Sequence, residues 1–299
     1  MAGFTVSSLT DYTEKATELL RAGVLFSEDL SNYEFQTGIK YKEYLNFANV
    51  DPKVQAGACG LSASGDTIFT EKEIEVVLYA YRDSFCTADL RQKALPQGSG
   101  TLKGDLGAPI EQTLTAGEIE AIKGDVEKDI WLGTSGMIDG WFTNLSACTS
   151  AISLDTYTGT TATLANIDDI VNDFIDNITD AMWSRGVLTL HCSVSTYNLY
   201  KRNIMTAYGD LKDTSLGLME TWLYGYENQI KIKGEAGLAG SNYMMLTWDK
   251  NLVIGTDEES EIAEAKWVYD EVTDYVWFKS SFKLGTQIKF CGKAIHNIY

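Results

Sequence analysis

Two histidines, five cysteines and two runs of clustered carboxylates are the residues of this chain whose chemistry a site could use. His191 stands between Leu190 and Cys192 in an alternating run, VLTLHCS, that reads as a strand. A general base needs a group to orient it and a proton to take; no partner is marked nearby, so the expectation is a core histidine with its hydrogen bonds satisfied. His296 is too distant in sequence to suggest a shared metal. Asp168, Asp169, Asp173, Asp176 and Asp180, and again Asp257, Glu258, Glu259 and Glu261, have the oxygens for a hard cation. Their spacing is equally that of a solvated helix face or an N-terminal turn, which is the reading taken. Cys59, Cys86, Cys148, Cys192 and Cys291 are odd in number, widely spread and without a CxxC pair. That argues against a disulfide framework or a zinc site, and for buried or incidental thiols in a reducing compartment.

Two catalytic frames fail on inspection. A phosphate loop needs converging backbone amides followed by GK[ST]; Gly292-Lys293-Ala294 has alanine where the hydroxyl belongs, and Gln287 stands where the leading glycine should be. A nucleophile elbow needs G-x-S-x-G, and neither Gly133-Thr134-Ser135-Gly136-Met137 nor Ala63-Ser64-Gly65-Asp66-Thr67 supplies it. Asn144-Leu145-Ser146 and Asn177-Ile178-Thr179 match the glycosylation sequon, which an intracellular chain would not present to the transferase. No catalytic, cofactor-binding or metal-ligating residue is assigned, no cofactor is expected, and the chain is expected not to be an enzyme. The 16 tyrosines and 7 tryptophans suit ordinary packing or broad protein interfaces.

The bulk properties narrow the class. At 299 residues the chain suits about two domains of roughly 150 residues, or one large one. A chain of this size buries roughly three quarters of its unfolded surface and needs no metal or disulfide staple. With 44% hydrophobic and 22% charged residues it is a folded protein. No stretch approaches the length of an apolar membrane span, and MAGFTVSSLTDYTEK lacks the pattern of a secretory signal, so a cytosolic site of synthesis and folding is expected. A net charge of −18 repels a phosphate backbone on average, which excludes a duplex-coating protein. Pro52, Pro96 and Pro109 are the only prolines, leaving the rest free for long strands and helices.

The elements that must position everything else follow from periodicity. Leu9, Tyr12, Ala16, Leu19 and Leu20 form one helical stripe closed by Gly23. Ile39, Tyr41, Leu45 and Phe47 then alternate with polar residues, broken on the apolar side by Glu43, and EIEVVLYAY places Ile74, Val76, Leu78 and Ala80 on one face. Between them lies DPKVQAGACGLSASGD, so residues 37–82 read as a long antiparallel ribbon. An isolated ribbon is marginal in water, and a neighbouring copy of the chain is the natural surface for it. A glycine-rich linker spans 95–109, and Thr115 with Glu118 forms a capping box opening a helix whose Ile119, Ile122, Val126 and Ile130 share a face, closed by Gly133. NIDDIVNDFIDNITDAMW reads as one helix capped by Asn166, with Ile167, Ile170, Val171, Phe174, Ile178 and Met182 inward. A strand (VLTLHCS) and a helix (TYNLYKRNIMTAY) follow. The end is strand-rich: QIKIKG, YMMLTW, NLVIG, VTDYVWFKSSF and TQIKFCGKAIHNIY, with one acidic helix-like stretch, EESEIAEAKWVY. There is no internal repeat.

This order of elements resembles the HK97-like major capsid proteins of tailed bacteriophages. Gly237-Leu238-Ala239-Gly240, Asn251-Leu252-Val253-Ile254-Gly255-Thr256-Asp257 and Phe282-Lys283-Leu284-Gly285-Thr286-Gln287-Ile288 are similar, in order and spacing, to phrases near the close of that family's chains. The resemblance covers nearly the whole chain in architecture and about residues 130–290 in wording. It implies an α+β fold with an N-terminal arm and short helix (1–36), an extended β-hairpin loop (37–82) lying over a neighbour, and a peripheral domain with a spine helix (83–186). An axial domain (about 187–255) and a return to the peripheral domain (256–299) complete it.

What the resemblance implies about function is a structural subunit that self-assembles, as pentamers and hexamers, into an icosahedral shell around a double-stranded DNA genome. The partners would be copies of itself together with portal, scaffold and decoration proteins; DNA would be enclosed without sequence-specific binding, and no membrane is involved. The location implied is the virion capsid, assembled in the host bacterial cytoplasm. Nothing before Leu9 would serve as a cleaved scaffolding segment. Some members crosslink a loop lysine; Lys40, Lys42 and Lys53 are available here, and no motif selects one. The rivals are an encapsulin-type nanocompartment shell, an acidic cytosolic α+β enzyme, and a tail-tube protein, the last disfavoured by the two long helices.

Overall fold

The computed structural model describes residues 30–52, 65–86, 108–154, 161–208, 219–257, 264–270, 272–273 and 275–297. The helix expected at 9–22, the ribbon tip and most of the linker at 95–109 lie outside them. In chain order the elements are β1 (Glu34–Gln36), β2 (Lys42–Pro52), β3 (Gly65–Glu75), β4 (Val77–Cys86), α1 (Ala108–Leu132), α2 (Trp141–Ser146) and β5 (Ile152–Ser153). Then come α3 (Ile167–Asp176), α4 (Asp180–Trp183), β6 (Leu188–Ser193), α5 (Val194–Tyr208), β7 (Glu220–Trp222), β8 (Ile230–Glu235) and β9 (Met244–Thr247). β10 (Leu252–Gly255), β11 (Glu264–Asp270), β12 (Tyr275–Ile288) and β13 (Ile295–Asn297) follow. The fold is mixed α+β, as expected, and none of the helices among the described residues is long and apolar enough to cross a membrane.

Three sheets organise the chain. β12 is the axis of the first: it pairs with β11 along its first half, with β4 from Tyr275 to Leu284 and with β10 at its end, and β10 carries β1 in parallel on its far side. The second runs β5-β13-β9-β6-β8-β7. The third is the two-stranded ribbon of β2 and β3, paired antiparallel from Lys42 opposite Glu75 to Pro52 opposite Gly65.

The cores follow these sheets. Ile119, Ile122, Val126 and Ile130 of α1 are buried against Phe278, Phe282, Leu284 and Ile288 of β12, together with Trp131 and Trp141. Each such aliphatic side chain contributes roughly 2 kcal/mol by leaving water. Ile167, Ile170, Val171 and Phe174 of α3, with Tyr197, Tyr200 and Ile204 of α5, form a second core on Leu188, Leu190, Ile230, Ile232 and Leu246. A third, small cluster of Ile39, Leu45, Ile74, Val76 and Val253 holds the base of the ribbon.

The structure corrects several expectations. The long helix begins at Ala108, so Thr115 and Glu118 are interior and no capping box is used there; Pro109 sits in the first turn, where its missing N–H costs nothing. Its closing turn is as expected: Gly133 adopts φ +67° and donates its N–H to the Asp129 carbonyl. The helix read through 166–183 is two, broken at Asn177; Asn166 holds the N-cap position as expected, its carbonyl accepting from the Ile170 N–H, but its side chain does not cap the helix and its Oδ1 accepts instead from the Thr163 N–H and hydroxyl. Of the stretch 258–269, read as helix-like, residues 258–263 lie outside the described residues and the rest belongs to the strand Glu264–Asp270, because its aromatic and β-branched residues find a partner in β12. VTDYVWFKSSF and TQIKF, read as separate strands, are largely one 14-residue strand.

The alternation in the ribbon also shifts phase. Ile74 and Val76 are buried, but Leu78 and Ala80 face solvent and Tyr79 is buried instead. Val76 lies between strands: β3 ends at Glu75 on β2, and β4 starts at Val77 on β12. A break between two sheets resets which parity points inward. Tyr41, expected inward, is exposed, since the strand starts only at Lys42.

Candidate functional site

The ribbon is the feature that leaves the body of the molecule. Each strand has 11 residues, a span of about 36 Å at the rise of an extended chain, and in the described structure β2 and β3 pair only with one another. Its base is fastened in four ways. Ile39, Leu45, Ile74 and Val76 pack on Val253. The Ile39 N–H donates to the Thr256 carbonyl at 3.0 Å, and Gln287 Nε2 donates to the Glu73 carbonyl at 2.6 Å. Lys72 Nζ donates to Cys291 Sγ.

Around this base, large apolar and aromatic side chains are exposed among charged ones. Tyr41 is 63% exposed, Tyr44 61% and Leu78 59%. A ribbon this long has too little surface of its own to offset the entropy of ordering, and these side chains are uncovered in the single chain. Of the lysines considered for a crosslink, Lys42 is engaged: its Nζ lies 2.6 Å from Glu73 Oε1 and 2.8 Å from Glu75 Oε2. Hydrogen bonds to the two carboxylates raise its pKa and, reciprocally, lower those of Glu73 and Glu75. Lys40 is exposed, and Lys53 lies outside the described residues.

His191 sits at the opposite extreme of exposure. It is fully buried in β6, with Nδ1 2.9 Å from Glu235 Oε1 and Nε2 3.5 Å from Asp249 Oδ1. Glu235 Oε1 also accepts from the Tyr33 hydroxyl at 2.8 Å and lies 3.1 Å from Lys233 Nζ. Burial alone would lower the histidine pKa, but Asp249 and Glu235 reverse that and hold it above its ordinary value. Burial would likewise raise Glu235 and Asp249; His191 and Lys233 overcome it and hold both carboxyls low. Trp131, Trp141 and Tyr33 wall the group in, with Trp131 and His191 ring centroids 5.1 Å apart. The cluster ties the β1 end of the chain to β6 and β8, and the imidazole itself is completely buried. Sequence reasoning did not find Tyr33, Glu235 or Asp249; the strand IKIKGE, in which lysines alternate with isoleucines and end on a glutamate, is the signal that could have pointed to Glu235.

The other candidates are dispersed. Asp257 is buried and bonded to Lys283, while Glu258, Glu259 and Glu261 lie outside the described residues. Asp168, Asp169, Asp173, Asp176 and Asp180 lie along α3 and the start of α4, and no group of three metal-ligating side chains occurs among the described residues. A groove of about 340 Å³ runs between β4 and α1 past Tyr79, Met137 and Phe282. Its polar groups serve a turn: Asp129 accepts from the Tyr79 hydroxyl at 2.9 Å, the Thr134 hydroxyl at 2.9 Å and the Ser135 N–H at 2.8 Å.

Comparison with known proteins places this architecture. No family model matches the sequence, and no curated protein matches it. Among solved structures, the chain is similar to the capsid of a native GTA particle, with a TM-score of 0.57 at 11% identity, over 89% of this chain and 88% of that one. It is similar to the procapsid of satellite phage P4, with a TM-score of 0.57 at 10% identity, over 95% and 98% of the two chains. A virus-like particle from Pyrococcus furiosus gives 0.54 at 12% identity, over 96% and 99%. The chain therefore has the HK97-like shell fold, the fold its motif order implied, across nearly its whole length.

Proposed function

We propose that the protein is a structural shell subunit, the major capsid protein of a tailed phage, which assembles into an icosahedral shell around double-stranded DNA. The observation that carries this is the ribbon: its strands are about 36 Å long, fastened to the body at their base and rimmed by the exposed Tyr41, Tyr44 and Leu78. A neighbouring copy is its natural seat, and repetition around a closed lattice turns weak contacts into a stable particle. The net charge of −18 fits a wall that does not bind the genome it encloses.

In this reading residues 37–82 are the extended loop and α1 is the spine of the peripheral domain. The axial domain is about 187–255, most of it built on the second core, to which α3 also contributes, and the chain returns through 256–299. Pentamers and hexamers, a portal, a scaffold and decoration proteins complete the assembly, which forms in the host cytoplasm and ends as the virion capsid. The subunit has no catalytic task. The likeness to the Pyrococcus particle favours one second reading, a nanocompartment shell that encloses protein in place of a genome.

Size-exclusion chromatography and negative-stain microscopy of the expressed chain test the shell. Megadalton closed particles are expected, and a discrete species near 33.1 kDa overturns the reading. Nuclease-protected DNA within particles isolated from their source separates phage capsid from nanocompartment.

A further inference from the structure

We propose that Cys148 and Cys291 form a dithiol site, seated beneath Lys72 of the ribbon, that a small disulfide of the glutathione class oxidises to an intramolecular disulfide. The two cysteines come from segments that run side by side. β5 and β13 pair in parallel with Ile295 opposite Ile152, and each cysteine stands four residues before its paired isoleucine. The Ile152 N–H donates to the Ala294 carbonyl at 3.1 Å, and a Cβ built on Gly292 would lie 3.4 Å from the Ser150 carbonyl oxygen, so the backbones stay close along this stretch. Cys148 and Cys291 thus stand at matching positions on neighbouring segments, close enough for each to perturb the other's titration. Lys72 Nζ donates to Cys291 Sγ, and Ser150 Oγ lies 3.4 Å from Cys148 Sγ.

The surroundings divide the labour between the thiols. Cys148 is half-buried and can meet a solute, whereas Cys291 is buried. Burial would raise the Cys148 pKa, but Cys291 and Ser150 beside it, with the charge of Lys72, bring it below the ordinary thiol value. Cys291 is raised, chiefly by burial. Cys148 as thiolate therefore attacks one sulfur of glutathione disulfide, forming a mixed disulfide and releasing one glutathione thiolate. Cys291 gives up its proton and attacks Cys148 Sγ, displacing the second glutathione. Two protein thiols are oxidised, one glutathione disulfide is reduced to two glutathiones, and the protons leave with them. The new bond would join the loop after α2 to the turn before β13, under the ribbon's base. This site lies within one chain and does not depend on the shell reading.

The test uses the full reduced chain, equilibrated with graded ratios of oxidised and reduced glutathione, quenched in acid, alkylated after unfolding and mapped by mass spectrometry of unreduced peptides. A Cys148–Cys291 crosslinked peptide is expected, absent in Cys148→Ser, with a Tm about 5 °C higher than that of the reduced protein. Lys72→Met should slow its formation about 3-fold by removing the cation beside the thiols. Two alkylated thiols at every ratio, a lasting glutathione adduct on Cys148 with Cys291 still free, or either cysteine joined to another partner would each overturn the proposal. An unchanged rate in Lys72→Met would remove the lysine from it.

Discussion

Gly255 and Gly285 are cross-strand partners in β10 and β12, and together they form the notch that receives the base of the ribbon. A Cβ on Gly255 would lie 2.6 Å from Ile74 Cδ1 and 3.0 Å from Ile39 Cδ1, and one on Gly285 would lie 2.1 Å from the Glu75 carbonyl oxygen. Two glycines from separate motif phrases, NLVIGTD and FKLGTQI, thus answer one steric demand. The end of β3 passes so close to the first sheet that neither strand has room for a side chain there.

The two sites differ in what must yield, and this gives the first prediction. Gly285→Ala meets backbone and should destabilise the protein by about 3 kcal/mol, whereas Gly255→Ala meets the end of a flexible isoleucine and should cost about 1 kcal/mol. Urea unfolding of the expressed chain measures both. Equal costs would show that the notch does not set the ribbon's position.

A second close approach joins α1 to the turn after β8. A Cβ on Gly237 would lie 2.4 Å from the Glu127 carbonyl oxygen and 2.5 Å from Trp131 Cδ1. Gly237→Ala should therefore lower stability by about 3 kcal/mol and alter the near-ultraviolet dichroism of the tryptophans, because Trp131 packs edge-on against Trp141. An unaltered spectrum with unaltered stability would contradict the close packing of this turn.

The buried charge cluster predicts a pH profile. His191 is held above its ordinary value of 6.5, so its contribution to stability is complete below pH 6.5 and is lost as pH rises through the raised value. Glu235 and Asp249 are held below their ordinary 4.5 and 3.8, so theirs is complete above those values and is lost as pH falls through the lowered ones. Tm should peak between about pH 5 and 6.5 and decline on the alkaline side. His191→Gln should flatten the alkaline arm and cost about 3 kcal/mol near pH 6, since it leaves two buried carboxylates with Lys233 as their remaining cation among the described residues. An alkaline arm as steep as that of the unmodified chain would exclude His191 as its source.

The ribbon surface separates folding from assembly. Tyr44→Glu and Leu78→Glu change exposed side chains, so each should alter stability by less than about 0.5 kcal/mol while reducing particle yield at least about 10-fold. Excising Gly57–Gly65 should act in the same direction. Thermal melts together with particle counts by electron microscopy decide this; full particle yield in both point variants would mean that this face meets no neighbour.

Much of the architecture was legible because short-range periodicity carries it. The stripe Ile119, Ile122, Val126 and Ile130 marked α1, and the glycine-bounded alternating runs marked the ribbon, since one face of each element must leave water wherever the chain folds. The motif glycines marked the fold without showing what they touch. Element ends were less legible. Thr115 and Glu118 had the spacing of a cap and are interior to a longer helix, and Glu264–Asp270 became a strand because β12 offered it an edge.

The chain alone therefore determined its acidic character and the period of each long element, properties set by residue type and by neighbours a few positions away. Tertiary structure alone decided that Tyr33, Glu235 and Asp249 would enclose His191, that Lys72 would reach Cys291 beside Cys148, and that Gly255 would face Gly285. Those contacts join residues far apart in sequence. Their energies depend on burial and on distances of a few ångströms, which no local pattern encodes.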